Sequence, residues 1–398
     1  MHSFSRFVLI ALSACVAANV HAITLTIDAG ESDRENTPVH INVPLKQLDW
    51  EQTATIEIDG ETLPAQVELI TDEEAQVWFI LPELAAGESI QATLHPGETA
   101  DAPMFRWAER SEILMNLSYG GRPVMGYFHP QFDPDDIEHT KKPFHHVYSP
   151  TESGVLLTKG VGGRFSHHRG IFYGYNHVHV GEETYDIWHA NNGEHSQHIE
   201  VLEAWEGPVM GGHTVRIDWI DREGEAFIRE HRTLRAFRQP GGQAWIDFDT
   251  ELESLRGDIA LQGDRQHAGV QFRAAQEVAE NQETTRYLRP ETWAHLEPDQ
   301  QYNGDDYLDL PWNAIRFLID DTRYTVAYLT DPSNPDGARF SERLYGRFGE
   351  YIPDELAADE TYTLHYQWWV TASPEVTRET IEERYADLAD PPTVQLAH

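Results

Sequence analysis

The sequence predicts an all-β protein built from a small amino-terminal β-sandwich and a larger two-layer sandwich. Apolar and polar residues alternate in short runs, as at 23–27 and 54–58, which is typical of half-buried strands. Further strand signals recur along the chain at intervals too short for intervening helices. The 398 residues exceed what one ordinary core needs, so two domains are expected.

The first domain is expected at residues 23–102. Asp59-Gly60 has the composition of a two-residue hairpin turn after the strand that ends at Ile58. A linker rich in Gly, Pro, Asp and Thr follows at 96–103 and marks the boundary. Strands are predicted in this domain at 23–27, 54–58, 76–81 and 89–94.

The second domain is expected at residues 103–398 and carries the candidate site. Its strands would form a large sandwich whose concave face can hold an extended ligand. One helix is predicted at 374–388, with Ser373 as N-cap and Pro374 in the first turn. Strands are predicted at 155–157, 171–175, 214–220, 245–252, 269–274, 315–319, 324–329 and 362–370.

Residues 1–22 have the pattern of a secretory signal, with Arg6, an apolar run at 7–18 and a small-residue ending. This run is too short to span a bilayer, which needs roughly 20 residues, and no later stretch qualifies. A secreted or periplasmic protein is expected. The stretch that ends at Cys15 also resembles a lipoprotein cleavage site, so a chain anchored through Cys15 is the alternative.

The composition excludes several function classes. A formal net charge of −38 argues against a nucleic-acid partner, which needs a basic face. Cys15 is the only cysteine, so the mature chain would have neither a disulfide nor a thiolate ligand. Abundant carboxylates and only four lysines suit a protein kept soluble in salty water, as in a marine or halophilic setting.

Residues 139–179 differ from the rest of this acidic chain. The segment contains seven histidines and five Lys or Arg residues against the single acid Glu152. A local group of cations in an acidic surface attracts an anionic ligand to one spot. The segment therefore predicts a site for a ligand that carries carboxylate or sulfate.

Alternation indicates how this segment would form a cleft. Tyr173, Tyr175, His177 and His179 are spaced by two and would share one face of a strand. Tyr173 or Tyr175 would then act as acid and base, with His167 or His168 as partner. Arg169 would hold a substrate carboxylate through its planar fork.

A loop rich in Asn and Gly follows at 188–198. Trp188 and His189 are candidate substrate-binding residues there, together with His177 from the strand. His189, His195 and His198 near Glu194 could instead bind a transition metal, although none of these pairs lies on a predicted helix. No cofactor is expected beyond this possible metal ion.

The His167-His168-Arg169-Gly170 block, His129-Pro130 and the stretch at 185–188 resemble the DUF6807 family, as do residues 331–335 and 343–346. The resemblance covers most of residues 40–370. It implies an exported bacterial protein associated with glycan breakdown, whose large domain is a β-supersandwich of the galactose-mutarotase type. The name methane oxygenase, often attached to the family, conflicts with the lack of an apolar stretch long enough to span a membrane. The resemblance implies these pocket residues, without roles: His129, His167, His168, Arg169, Asn334 and Arg343.

The expected function is a secreted enzyme that cleaves an anionic, uronate-containing polysaccharide or oligosaccharide. β-Elimination is favoured because the segment is rich in cations, His and Tyr, whereas hydrolysis needs two carboxylates that flank the bond. A glycoside hydrolase, a non-catalytic glycan-binding surface protein and a His-liganded metal enzyme are the alternatives. The sequence does not indicate an oligomeric state.

Overall fold

The computed structural model describes residues 22–45, 53–97, 102–239, 241–358 and 360–397. The expected signal segment at 1–22, apart from its last residue, lies outside these ranges, as does Cys15. The all-β prediction is confirmed. The strands of the described residues are, in chain order, β1 (Ile23–Asp28), β2 (Arg34–Pro44), β3 (Thr53–Ile58), β4 (Glu61–Leu69), β5 (Glu74–Leu84), β6 (Ser89–Pro96), β7 (Phe105–Ser111), β8 (Leu114–Tyr119), β9 (Arg122–Phe128), β10 (Phe144–Val147), β11 (Ile171–Tyr175), β12 (His177–Val180), β13 (Glu183–Tyr185), β14 (His195–Trp205), β15 (Met210–Ile220), β16 (Ala226–Gln239), β17 (Gln243–Ser254), β18 (Ile259–Gln262), β19 (Ala268–Arg273), β20 (Arg286–Leu288), β21 (Trp312–Ile319), β22 (Thr322–Thr330), β23 (Arg339–Arg343), β24 (Arg347–Tyr351), β25 (Asp354–Leu356), β26 (Thr361–Thr371) and β27 (Thr393–Leu396).

The amino-terminal strands form one sheet with the order β2-β5-β4-β3-β6-β1-β27. Its core consists of alternating apolar side chains such as Leu25, Ile56 and Phe79. The predicted turn at Asp59-Gly60 joins β3 to β4, and both residues have positive φ, as such a turn requires. The carboxy-terminal strand β27 pairs with β1, so the division at residue 102 places this strand in the wrong domain.

The remaining strands form the large body. One eight-stranded sheet has the order β23-β24-β19-β11-β10-β9-β8-β7, and a second has the order β14-β15-β16-β17-β26-β22-β21-β20. A four-stranded sheet, β13-β12-β18-β25, extends the body. Apolar residues from all three sheets meet in one large core. The predicted strand at 155–157 is wrong, because those residues make only an isolated bridge through Leu156.

Helices are short and lie at the margins. They are α1 (Ile137–Thr140), α2 (Gln276–Glu280) and α3 (Arg378–Ala389), with 3-10 turns at Gln282–Thr284 and Glu291–Trp293. The predicted carboxy-terminal helix exists but begins four residues later than expected, because Thr377 rather than Ser373 caps it through a capping box with Thr380. None of the described helices combines the length and the apolar character that crossing a bilayer would require.

Candidate functional site

The candidate site lies on the outer face of the first eight-stranded sheet. Strand β11 places Ile171, Tyr173 and Tyr175 in the core between the sheets, whereas Phe172 points to the opposite face. Tyr173 and Tyr175 are fully buried, and the Tyr175 hydroxyl donates to the Ile352 carbonyl oxygen. The prediction that these tyrosines line a cleft is therefore wrong, because the period of two sends them inward.

His177 and His179 do not continue the face of the tyrosines. A break at Asn176 separates β11 from β12, which belongs to the four-stranded sheet. Val178 takes the core side of β12, and His177 and His179 are exposed. The structure therefore does not place His177 with the predicted catalytic residues.

The His167-His168-Arg169-Gly170 block leads into β11, and at Gly170 its backbone passes very close to the backbone of His145 on β10. Gly170 has a φ of +41°, and a Cβ atom there would lie 2.1 Å from the His145 carbonyl oxygen. Only glycine fits this position. The approach holds His168 against the outer face, where its ring meets the Trp188 ring at 5.6 Å and stacks on His267 at 5.4 Å between centroids.

Trp188 forms the floor under these histidines. It is fully buried and packs on Phe172 at 5.0 Å. Lys142 donates a hydrogen bond to the Trp188 carbonyl oxygen and lies 3.9 Å from the centre of the Phe172 ring. Trp188 was expected to contact substrate, but burial assigns it a supporting role.

Three partly exposed histidines converge above this floor. The ligand nitrogen atoms offered by His167, His189 and His267 lie within 4.8 Å of one another. Asp186 Oδ2 is 2.8 Å from His189 Nδ1, and Asp264 Oδ2 is 2.9 Å from His267 Nδ1. Each Asp thus occupies the Nδ1 side of its imidazole and leaves Nε2 free. We call His167, His168, His189 and His267 the outer cluster.

Electrostatics favour the neutral form of His167 and His168 and the ionised form of Asp186. Burial and the nearby positive charge of Lys142 lower the pKa of His167 to about 3. Burial, with Arg347 nearby, lowers the pKa of His168 well below its usual range. Although burial alone would raise it, hydrogen bonds from His189 lower the pKa of Asp186. Neutral imidazole nitrogen atoms are the form that binds a metal ion.

Arg169 has a different role from the one predicted. It is fully buried, donates to the Ser166 carbonyl oxygen and pairs with Glu138 Oε1 at 3.1 Å. Lys141 pairs with the same carboxylate at 3.1 Å. Glu138 lies one residue before the basic segment at 139–179. Its carboxylate offsets part of the positive charge of that segment. Arg169 anchors the loop rather than a substrate carboxylate.

A row of arginines crosses three adjacent strands on the same outer face. Arg343 on β23 pairs directly with Arg347 on β24, and Arg347 pairs directly with Arg273 on β19. Within the described residues none of the three has an ion pair with a carboxylate. Arg347 and Arg273 are fully buried, and two guanidinium nitrogen atoms of each have no hydrogen-bond partner. We call Arg273, Arg343 and Arg347 the arginine row.

Tyr345 joins the arginine row to the outer cluster. The Arg273 guanidinium lies 5.1 Å from the centre of the Tyr345 ring, and the His168 ring lies 6.2 Å from it. Beside it, Phe165 is an exposed aromatic residue with a φ of +54°, and its ring is 4.6 Å from that of Tyr345. Burial, with Arg273 and Arg169 nearby, lowers the pKa of Lys159 to about 8. The aromatic rings of Phe165 and Tyr345 thus lie beside the positively charged arginine row.

Two expected pocket residues lie elsewhere. His129 belongs to the inner side of the same sheet, where its ring is 5.0 Å from that of Tyr127. Asn334 donates to the His365 carbonyl oxygen and accepts from the His365 amide, next to β26 of the other large sheet. Neither residue is brought to the outer cluster or the arginine row, whereas the expected residue Arg343 belongs to the row.

The loop histidines also separate. His189 enters the outer cluster, His195 stacks on Phe132 at 3.7 Å, and His198 Nδ1 lies 3.0 Å from the Tyr127 hydroxyl. The prediction that these three share a metal is therefore wrong. His267, from a different loop, and His167 complete the group instead.

The comparison with protein families covers the candidate site. The model of a family described as "Family of unknown function (DUF6807)" matches residues 115–386, more than half of the chain. The chain belongs to this family. The match contains every residue of the outer cluster and the arginine row, but it leaves out the amino-terminal sheet that the resemblance was expected to include. No curated protein matches this DUF6807 member.

Several site residues escaped the sequence analysis. Asp264, His267, Arg273, Arg347, Tyr345 and Phe165 are not among the predicted site residues. One signal could have helped: Asp186–His189 and Asp264–His267 share the spacing Asp-x-x-His. The exposed pair Asp136–His139 has the same spacing, so the signal is not specific.

Proposed function

We propose that this DUF6807 member is a secreted carbohydrate-active enzyme, a lyase that cleaves uronate-containing glycans by β-elimination. The observation that carries the proposal is the arginine row. Like charges directly opposite one another on adjacent strands destabilise a sheet. In a chain with 67 acidic residues, three arginines without a carboxylate partner are best explained by an anionic ligand that arrives from outside.

The electrostatics of the row support the same ligand. Burial and the neighbouring Arg347 lower the pKa of Arg343, because each added positive charge is unfavourable there. A substrate carboxylate would relieve this repulsion. Arg343 is the partly exposed member of the row and the one that we assign to contact the carboxylate. Arg347 and Arg273 supply positive charge from beneath.

Tyr345 takes the role first given to Tyr173 and Tyr175. Within the described residues its hydroxyl has no hydrogen-bond partner, and it is not among the buried unpartnered atoms, so it reaches solvent at the site. In β-elimination the proton on C5 of the uronate goes to a base, and its electron pair forms the C4=C5 double bond. The C4–O bond breaks, and the leaving oxygen takes a proton. We assign these proton transfers to Tyr345, whose phenolate would accept the C5 proton and whose phenol would then donate it to the leaving oxygen.

The carboxylates near the site favour elimination over hydrolysis. Hydrolysis needs two free carboxyl groups on either side of the scissile bond. Asp186 and Asp264 are both occupied by histidine side chains, and Glu138 is occupied by Arg169 and Lys141. The exposed ring of Phe165 can stack on a sugar ring beside Tyr345.

The test is product analysis. Incubation with ulvan, alginate or glucuronan should raise the absorbance of the unsaturated-uronate band for at least one polymer. Arg343→Met should raise KM for that polymer, because it removes the carboxylate contact. Arg339→Met is the matched control, since Arg339 is exposed on the same strand and outside the row.

Other outcomes would contradict the proposal. New reducing ends without the absorbance band would show a hydrolase. Polymer binding with no product of either kind would show a glycan-binding protein. Equal kinetics for Arg343→Met and the wild type would show that the row does not bind the substrate.

A further inference from the structure

We propose that His167, His189 and His267 bind one divalent transition-metal ion. Their ligand nitrogen atoms already lie within 4.8 Å of one another, and all three residues are partly exposed. A metal about 2.1 Å from each nitrogen in tetrahedral geometry needs nitrogen separations of about 3.4 Å. Small side-chain rotations would close the difference.

The carboxylates behind the histidines are the second, independent observation. A metal-binding histidine usually donates its other ring N–H to a carboxylate, which fixes the tautomer and the ring orientation. His189 and His267 both have this arrangement, through Asp186 at 2.8 Å and Asp264 at 2.9 Å. Asn176 in turn donates to Asp264 at 2.8 Å and holds it in place.

Charge balance also favours a cation at this point. The three imidazoles are uncharged ligands, and Asp186 and Asp264 place two negative charges directly behind them. These charges match a divalent ion. The lysine charges that act on His167 are those of Lys142, whose ammonium group donates to the Trp188 carbonyl oxygen and lies over the Phe172 ring, and of Lys141, which pairs with Glu138.

The donor set selects the class of metal. Imidazole nitrogen suits Zn²⁺, Co²⁺, Ni²⁺ and Cu²⁺, whereas Mg²⁺ and Ca²⁺ prefer oxygen ligands. Three protein ligands leave a coordination position open to water or substrate. The His168 ring lies between the site and Tyr345, 5.4 Å from the His267 ring and 6.2 Å from the Tyr345 ring. A role for the metal in activating the substrate rests on the proposed function, whereas metal binding itself does not.

The first experiment uses the full chain without a purification tag. After treatment with EDTA and its removal, Co²⁺ is titrated by calorimetry and by visible absorption. One equivalent should bind the wild type. His189→Ala and His267→Ala should abolish this binding, whereas His177→Ala, which removes an exposed histidine outside the cluster, should leave it unchanged.

A second pair of variants tests the carboxylates without removing a ligand. Asp264→Asn should weaken Co²⁺ binding by about 10- to 100-fold. Asp136→Asn is the matched control, because Asp136 has the same spacing to an exposed histidine, His139, and should not affect binding. Thermal unfolding of each variant checks that it is folded.

Two results would overturn the metal site: no stoichiometric Co²⁺ binding by the wild type, or undiminished binding by His189→Ala and His267→Ala. The outcomes separate the two proposals. Bound metal without an unsaturated product would support the metal site and contradict only the lyase. Formation of the unsaturated product by a protein that binds no metal would support the lyase and contradict only the metal site.

Discussion

The two faces of one sheet carry two groups of histidines with opposite characters. On the outer face, carboxylates orient the rings of His189 and His267 toward a space shared with His167. On the inner face, His129, His145, His198 and His213 surround Tyr127, and we call these four the inner group. His145 Nε2 lies 2.8 Å from His213 Nε2, so these two rings share a hydrogen bond.

The difference lies in the partners rather than in the number of histidines. On the inner face His145 bonds to His213 and His198 bonds to Tyr127, whereas His129 only packs on Tyr127; His213 also stacks on Trp107 at 4.7 Å. In the outer cluster His189 and His267 each have an Asp partner on Nδ1, whereas no member of the inner group has an ion pair with a carboxylate within the described residues. A carboxylate behind the ring thus distinguishes imidazoles that are oriented to bind a ligand from imidazoles that are packed.

The largest expected effect distinguishes Tyr345 on the outer face from Tyr127 on the inner face. Tyr345→Phe should lower kcat by about 100-fold or more, because it removes a group that transfers protons. Its stability should not change, since the hydroxyl makes no hydrogen bond. Steady-state kinetics and thermal unfolding measure both.

Tyr127→Phe is the counterpart on the inner face and should behave in the opposite way. It removes the hydroxyl that contacts His198 at 3.0 Å, which should cost about 1 kcal/mol of stability and leave kcat unchanged. A loss of turnover in Tyr127→Phe together with normal turnover in Tyr345→Phe would reverse the assignment of the two faces.

The next largest effect is a loss of stability in acid, which we expect the inner group to cause. Burial and neighbouring positive charge lower the pKa of His213 to about 3 and that of His198 to about 4. The unfolded chain, with an ordinary histidine pKa of about 6.5, binds more protons below that pH. Stability is therefore fully present above about pH 6.5 and is lost as the pH falls toward 4.

Urea unfolding between these pH values measures the effect. His213→Phe should reduce the slope of stability against pH by about 1.4 kcal/mol per unit, the value for one proton. His177→Phe, at an exposed position, should leave the slope as it is. An unchanged slope in His213→Phe would mean that His213 is protonated in the folded state.

The smallest effect belongs to the exposed pair Asp136–His139. Both side chains are more than half exposed although they lie only 2.6 Å apart. His139→Ala should change stability by less than about 1 kcal/mol, as for other surface pairs. A larger loss in thermal unfolding would show that Asp-x-x-His spacing stabilises the chain without a metal.

The sequence was sufficient for the strands but not for the sides they face. Most predicted strands are present, because a period of two is a local property. The side toward which Tyr173 points depends on the sheet that covers β11, and that contact lies far away in the chain. Glu138 lies next to the basic segment in the sequence. Its ion pair with Arg169 forms only because the folded chain brings these two distant positions together.

The outer cluster itself illustrates the same limit. His167, His189 and His267 come from three different loops, and Arg273 and Arg347 meet only through strand pairing. Local spacing could indicate the Asp–His pairs but not their convergence. The histidine-rich block was a good indicator of position and a poor indicator of roles.

The most direct test of the outer face as the active site is a crystal structure of the Co²⁺-loaded protein with a bound uronate oligosaccharide. We expect anomalous density between His167, His189 and His267, and a sugar carboxylate against Arg343 with the ring near Phe165. A sugar bound instead in the groove between the domains, along Trp107 and Trp205, with no density at the three histidines, would contradict this account.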